Sequence, residues 1–148
     1  MRTLPCPHCG KPVPIPYPLV AVDALVEDDQ GRILLVQRRY PPAGWALPGG
    51  FVEAEETLEE AVARELREET GLTLEEARQF HAYSGPHRDP RHPMISVVFS
   101  GCATGTLAAG DDAADARFFP RNALPAEIAF DHRRILADYA ARRPLTPG

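Results

Sequence analysis

The chain has 148 residues, enough for one domain with a core of its own. Its 44% hydrophobic and 25% charged content is ordinary for a globular protein, and a net charge of −5 argues against nonspecific nucleic-acid binding. No segment approaches transmembrane length and no N-terminal apolar run fits a signal peptide, so a cytoplasmic protein without a membrane partner is expected.

In chain order, residues 1–18 carry six prolines and are predicted to form an extended arm outside the core. Within it, Cys6-Pro7-His8-Cys9-Gly10 looks like one knuckle of a zinc ribbon. A tetrahedral zinc site takes four ligands, the second knuckle is missing, and Cys102 falls alone in a predicted strand. Zn²⁺ at Cys6 and Cys9 would need a dimer or a nearby His, and the remnant of a lost ribbon is the preferred reading.

Residues 19–148 are assigned to one domain. Leu19–Val26 is apolar and β-prone, and residues 32–38 form a second apolar run after a Glu27-Asp28-Asp29-Gln30-Gly31 turn. Together they suggest a hairpin. Trp45-Ala46-Leu47 is a short strand ending at Pro48-Gly49-Gly50. Beyond a helix at 57–71, strands are predicted around 80–83, over 95–103 and over 116–119. The last two are separated by a loop holding Asp111 and Asp112. Helical spacing of Ile128, His132, Ile135, Leu136 and Tyr139 predicts a final helix over 127–142. This order suggests a mixed sheet covered on both faces.

The helix at 57–71 carries the most information. Thr57 with Glu60 three residues later reads as a capping box, and Gly71 as the C-terminal stop. At about 100° per residue, Leu58, Ala61 and Val62 form one apolar stripe. Glu65 and Glu69 continue it, Glu68 flanks it, and Glu59, Glu60, Ala63, Arg67 and Thr70 fall opposite. Carboxylates aimed inward cost several kcal/mol per ion unless compensated. A hard divalent cation is the natural compensation, since Mg²⁺ takes carboxylate oxygens and keeps waters and substrate phosphates.

Residues 50–72, GFVEAEETLEEAVARELREETGL, match the signature of the Nudix hydrolases at each defining position: Gly50, Glu56, Arg64-Glu65, Leu66, Glu68-Glu69 and Gly71. The resemblance implies an α/β fold, the Nudix-type α/β/α sandwich with a mixed β-sheet. It also implies hydrolysis of a nucleoside diphosphate linked to another group, with Mg²⁺ or Mn²⁺ and more than one ion. By position, Glu65, Glu68, Glu69 and the Gly50 carbonyl would be metal ligands. Glu56 and Arg64 would pair to fix the loop on the helix.

Further segments resemble the ADP-ribose pyrophosphatase branch: Arg39-Tyr40-Pro41-Pro42, Arg88-Asp89-Pro90-Arg91, and Gly110-Asp111-Asp112-Ala113 before Arg117-Phe118-Phe119-Pro120. Arg39, Arg88 and Arg91 are the candidates to grip phosphate or ribose, since guanidinium forks suit phosphate oxygens. Asp111 and Asp112 are candidates for a further acid, and Tyr40, Trp45, Phe51 and Phe80 for a stacking surface. The expected substrate is a small nucleotide, ADP-ribose first, with NADH, nucleotide sugars and oxidised nucleoside triphosphates as alternatives. A noncatalytic ADP-ribose sensor is the reading from another class. A homodimer is also implied by the resemblance.

Overall fold

The computed structural model describes residues 3–110 and 113–141. Strands β1 (Thr3–Pro5) and β2 (Pro12–Pro14) pair with each other alone. A four-stranded mixed sheet runs β6 (Gly49–Phe51), β3 (Leu19–Val26), β8 (Met94–Thr104), β7 (Thr73–Tyr83). A three-stranded antiparallel sheet runs β5 (Trp45–Ala46), β4 (Ile33–Arg38), β9 (Ala113–Phe119). The helices are α1 (Leu58–Thr70) and α2 (His132–Ala140).

Both central strands are buried on two faces, which is why each reads as a continuous apolar run and not as an alternation. Successive side chains of a strand point to opposite faces. In β3, Val22, Ala24 and Val26 pack with Ala61, Val62 and Leu66 of α1, while Leu25 packs with Ile135, Leu136 and Tyr139 of α2. In β4, Leu34 joins the α1 cluster, and Ile33 and Leu35 join the α2 cluster. The two sheets therefore form one layer between two helices, an α/β/α sandwich.

Several sequence expectations change. β3 and β4 do not pair as a hairpin ladder; the chain closes between them at a Glu27–Ile33 bridge, with Asp28 N–H donating to Arg32 O (3.0 Å). Each already has two partners, β6 and β8 for β3, β5 and β9 for β4, so neither has an edge left for the other. The chain does not stop being a strand at Gly49-Gly50, because residues 49–51 pair antiparallel with β3. β7 is longer than predicted and β9 begins at Ala113. The last helix begins at His132 because residues 127–129 run beside β5. There Trp45 N–H donates to Glu127 O (3.0 Å) and Ala129 N–H to Trp45 O (2.8 Å). Arg142 lies outside the described residues.

The proline-rich arm is a small antiparallel hairpin, with Thr3, Leu4 and Pro5 facing Pro14, Val13 and Pro12. Among the described residues no helix is long and apolar enough to cross a membrane.

Candidate active site

The site is built on the N-to-C length of α1 where it passes β6. Thr57 Oγ1 accepts the Glu60 N–H (3.1 Å) and Glu60 Oε2 accepts the Thr57 N–H (2.8 Å), closing a capping box. Gly71 ends the helix at φ +73°, a left-handed conformation that suits glycine. The face packed on the sheet is Ala61, Val62, Leu66 and Thr70. Thr70 is thus not on the solvent side. Its hydroxyl donates to Leu66 O (2.6 Å), which satisfies it inside the core. The buried face is rotated toward Leu66 and Thr70, so Glu65 and Glu69 lie at its margin and aim along β6.

One glycine lets the helix come that close to β6, and a second lets β6 lie tight against β3. A Cβ on Gly50 would overlap the Glu65 carboxylate, and one on Gly49 would overlap Val22 O and the Asp23 side chain. Gly49 N–H donates to Glu69 Oε1 (3.2 Å). The Glu65 and Glu69 carboxylates lie beside each other. Burial first, and then the Glu65 charge, push the Glu69 carboxyl up to about 9. Burial also raises the Glu65 carboxyl, against the pull of Arg64. Glu68 is 57% exposed and turns to Arg64.

Arg64 ties helix to loop. Its Nε and Nη2 donate to the two Glu56 oxygens (3.0 and 2.6 Å), Nη2 also to Phe51 O (3.0 Å), and Nη1 to Glu65 Oε1 (2.9 Å) and Glu68 Oε2 (3.3 Å). Hydrogen bonds from Arg64, then from the Glu53 N–H, hold the Glu56 carboxyl down to about 2.

These groups open on a cleft of about 260 Å³. Its lining includes Glu65, Glu69, Asp23, Arg38, Arg91 and Phe130. The acidic wall extends beyond the helix to Asp23 of β3, which accepts a hydrogen bond from the Ser96 hydroxyl. His132 lies behind Asp23, with Nε2 3.7 Å from Asp23 Oδ2. His132 Nδ1 accepts the Leu47 N–H (3.0 Å), so the ring hydrogen is on Nε2. Burial, the largest influence, lowers the His132 pKa and keeps the ring neutral.

The facing wall is basic. The Arg38 and Arg91 guanidiniums lie over the Phe130 ring, at 4.8 and 5.1 Å from its centroid. Burial and the neighbouring Arg91 charge lower the Arg38 pKa. Phe130 has φ +57°, where a non-glycine residue costs about 1–3 kcal/mol.

The predicted arginines divide. Arg91 faces the cleft but also forks onto Asp89 (3.1 and 2.8 Å). Arg88 is only 6% exposed, and its fork closes on Asp131 (2.9 and 2.6 Å). Arg39 lines the cleft and donates to Ala113 O (3.1 Å). Asp111 and Asp112 lie outside the described residues. The loop leading to them docks on the end of α1, through Ala108 N–H to Thr70 O (2.9 Å) and Gly110 N–H to Glu69 O (2.8 Å). Of the aromatics, Trp45 stacks edge-on against Phe119 and Phe80 against Tyr139, both in the core, while Tyr40 and Phe51 rim the cleft.

Asp23, Ser96, His132, Arg38 and Phe130 were not singled out from the sequence. Asp23 had a readable signal, a carboxylate amid the apolar run LVAVDALV. The other four had none.

The donor set fits a hard cation. Two inward carboxylates compete for one space, and one must take up a proton when no positive charge lies between them. Among the described residues no three His, Cys, Asp or Glu side chains yet converge on a point, because Glu68 points to Arg64.

Fold and cleft together define a nucleotide-hydrolase type of domain. A family model described as the NUDIX domain matches residues 17–139, and the chain belongs to the Nudix family. Within that family it is 51% identical over 126 residues to the ADP-ribose pyrophosphatase of Methanocaldococcus jannaschii, covering 83% of this chain and 73% of the relative. It is 30% identical over 156 residues to the NAD-capped RNA hydrolase NudC of Pseudomonas aeruginosa. That similarity covers 99% of this chain, which spans about half (54%) of the relative. A solved structure is also similar, the Francisella tularensis bifunctional NMN adenylyltransferase/ADP ribose pyrophosphatase complexed with AMP and Mn ion. It has a TM-score of 0.75 and 32% identity, over 87% of this chain and 43% of that one.

Proposed function

We propose that the protein is a divalent-metal-dependent pyrophosphohydrolase that cleaves ADP-ribose to AMP and ribose 5-phosphate. The observation that carries this reading is the Glu65–Glu69 carboxylate pair at the foot of the cleft, beneath a glycine whose missing side chain makes room for it. Glu65, Glu69, the Gly50 carbonyl and a re-aimed Glu68 would hold Mg²⁺ or Mn²⁺, more than one ion when substrate is present. Such ions acidify water and neutralise phosphate oxygens, the main demands of displacement at phosphorus.

The chain's own residues position and shield. Arg64, held by Glu56 and Phe51 O, fixes the helix against the loop so that the carboxylates are pre-aimed. Arg38 and Arg91 supply positive charge opposite them, where a diphosphate between the two walls would meet cations on both sides. Water adds to one phosphorus, the bridging P–O bond breaks, and the bridging oxygen leaves with the other phosphate. The similarity to two proteins named for ADP-ribose hydrolysis supports that substrate over others. The NudC likeness supports a second reading, a dinucleotide such as NADH. A cytoplasmic location belongs to the same reading.

A substrate panel scored by kcat/KM separates these. It would hold ADP-ribose, NADH, nucleotide sugars and an oxidised nucleoside triphosphate, each with Mg²⁺ and with Mn²⁺. ADP-ribose should rank first. NADH ranking above it would transfer the assignment to the second reading, and no metal-dependent turnover of any member would refute both.

A further inference from the structure

The N-terminal hairpin lies outside the matched family domain, and nothing in the catalytic cleft uses it. Its turn carries two thiols, Cys6 and Cys9. Gly10 N–H donates to Cys6 O (2.8 Å) and Cys6 N–H to Lys11 O (2.8 Å), with Gly10 left-handed at φ +73°. Cys6 and Cys9 thus stand three positions apart within one tight turn. The thiolate is the form of cysteine that binds metal. Both thiols are free, Cys9 is exposed and Cys6 partly so.

The turn is half of a metal site. Zinc bound by thiolates takes four ligands in tetrahedral array. Among the described residues no third His, Cys, Asp or Glu joins Cys6 and Cys9, and Cys102 lies in β8, paired with Glu75 of β7. The hairpin is also unfinished as a packing unit. Leu4 and Val13 are direct cross-strand partners, so their side chains share one face, and they are 52% and 45% exposed. A two-stranded hairpin without a covered face is marginal in water.

A second copy related by a two-fold axis repairs both deficits at once. We propose that Cys6 and Cys9 of two copies bind one zinc ion as four thiolates, with the Leu4–Val13 faces packing beside it, so that the protein is a zinc-linked homodimer. Four thiols lose their protons as the ion enters, and no redox change is involved.

The test uses the full chain purified with a phosphine reductant, loaded with ZnCl₂ and freed of excess. Zinc is then measured by chelator-release colorimetry and mass by light scattering. One zinc per two chains in a dimer is expected, and Co²⁺ in its place should give the visible absorption of a tetrahedral tetrathiolate. C6S/C9S should lose the ion and become monomeric while its circular dichroism is unchanged. L4S/V13S, which keeps the ligands, should weaken the dimer by at least about tenfold, the effect of two lost apolar contacts. The proposal is overturned by one zinc per chain in a monomer, by no zinc retained, or by a dimer that C6S/C9S leaves intact. A dimer that the reductant alone dissolves would mark a disulfide and overturn it equally.

Discussion

The two walls of the cleft are made differently. The acidic wall comes mostly from one helix and the strand beside it, with Glu65 and Glu69 of α1 against Gly49 and Gly50 of β6. The basic wall is assembled from distant segments, Arg38 at the end of β4, Arg91 before β8 and Phe130 before α2. One wall is therefore local and braced by its own salt bridges. The other exists only when the whole domain is folded. On this account the acidic wall supplies chemistry and the basic wall supplies grip, and variants should separate the two.

The largest effect belongs to the acidic wall. Glu69→Gln should lower kcat with ADP-ribose by about 10³-fold, the several kcal/mol that metal charge stabilisation supplies. Its thermal midpoint without metal should hold or rise, because folding at neutral pH no longer has to protonate a carboxyl that burial pushes up to about 9. A variant with wild-type turnover would remove Glu69 from the site. Gly50→Ala should cost activity together with about 1–3 kcal/mol of stability, because its Cβ overlaps the Glu65 carboxylate.

On the basic wall, Arg38→Ala should act mainly on KM, raising it roughly 10- to 100-fold as one charged hydrogen bond is lost. Arg88→Ala should behave otherwise, although both arginines line the cleft. Its fork holds Asp131, so the loss is about 2–3 kcal/mol of stability, below the full buried-pair range because Asp131 keeps some solvent. Urea midpoints beside KM values distinguish the two patterns. A raised KM with unchanged stability in Arg88→Ala would return it to the substrate.

The contrast between walls also explains what was legible in the sequence. The capping box, the Gly71 stop and the Glu56–Arg64 pair all lie within residues 56–71, so spacing alone reveals them. Arg88 and Arg91 look equivalent in sequence. Only tertiary structure sets Asp131 against one, 43 positions away, and Phe130 against the other. The β3–β4 hairpin failed as an expectation for the same reason, since strand pairing is decided by distant competitors β8 and β9. The orientation of α1 was partly misread because Thr70 was counted as polar, and its hydroxyl is satisfied by its own helix.

The smallest effect is on pH. Burial lowers the folded-state pKa of His132 below its ordinary 6.5, so the unfolded chain binds the extra proton first. Stability from the neutral ring is complete above 6.5 and declines as pH falls below it. The urea midpoint of the wild type should fall between pH 7 and 5 more steeply than that of His132→Gln. Parallel curves would mean that His132 carries no such linkage.

The most direct test is Mn²⁺ binding to the full chain, followed by the electron paramagnetic resonance signal of the free ion. Wild type should bind Mn²⁺ saturably, and the double variant Glu65→Gln/Glu69→Gln, still folded by circular dichroism, should bind none at the cleft. Equal binding by both proteins would contradict the assignment of these carboxylates to the metal.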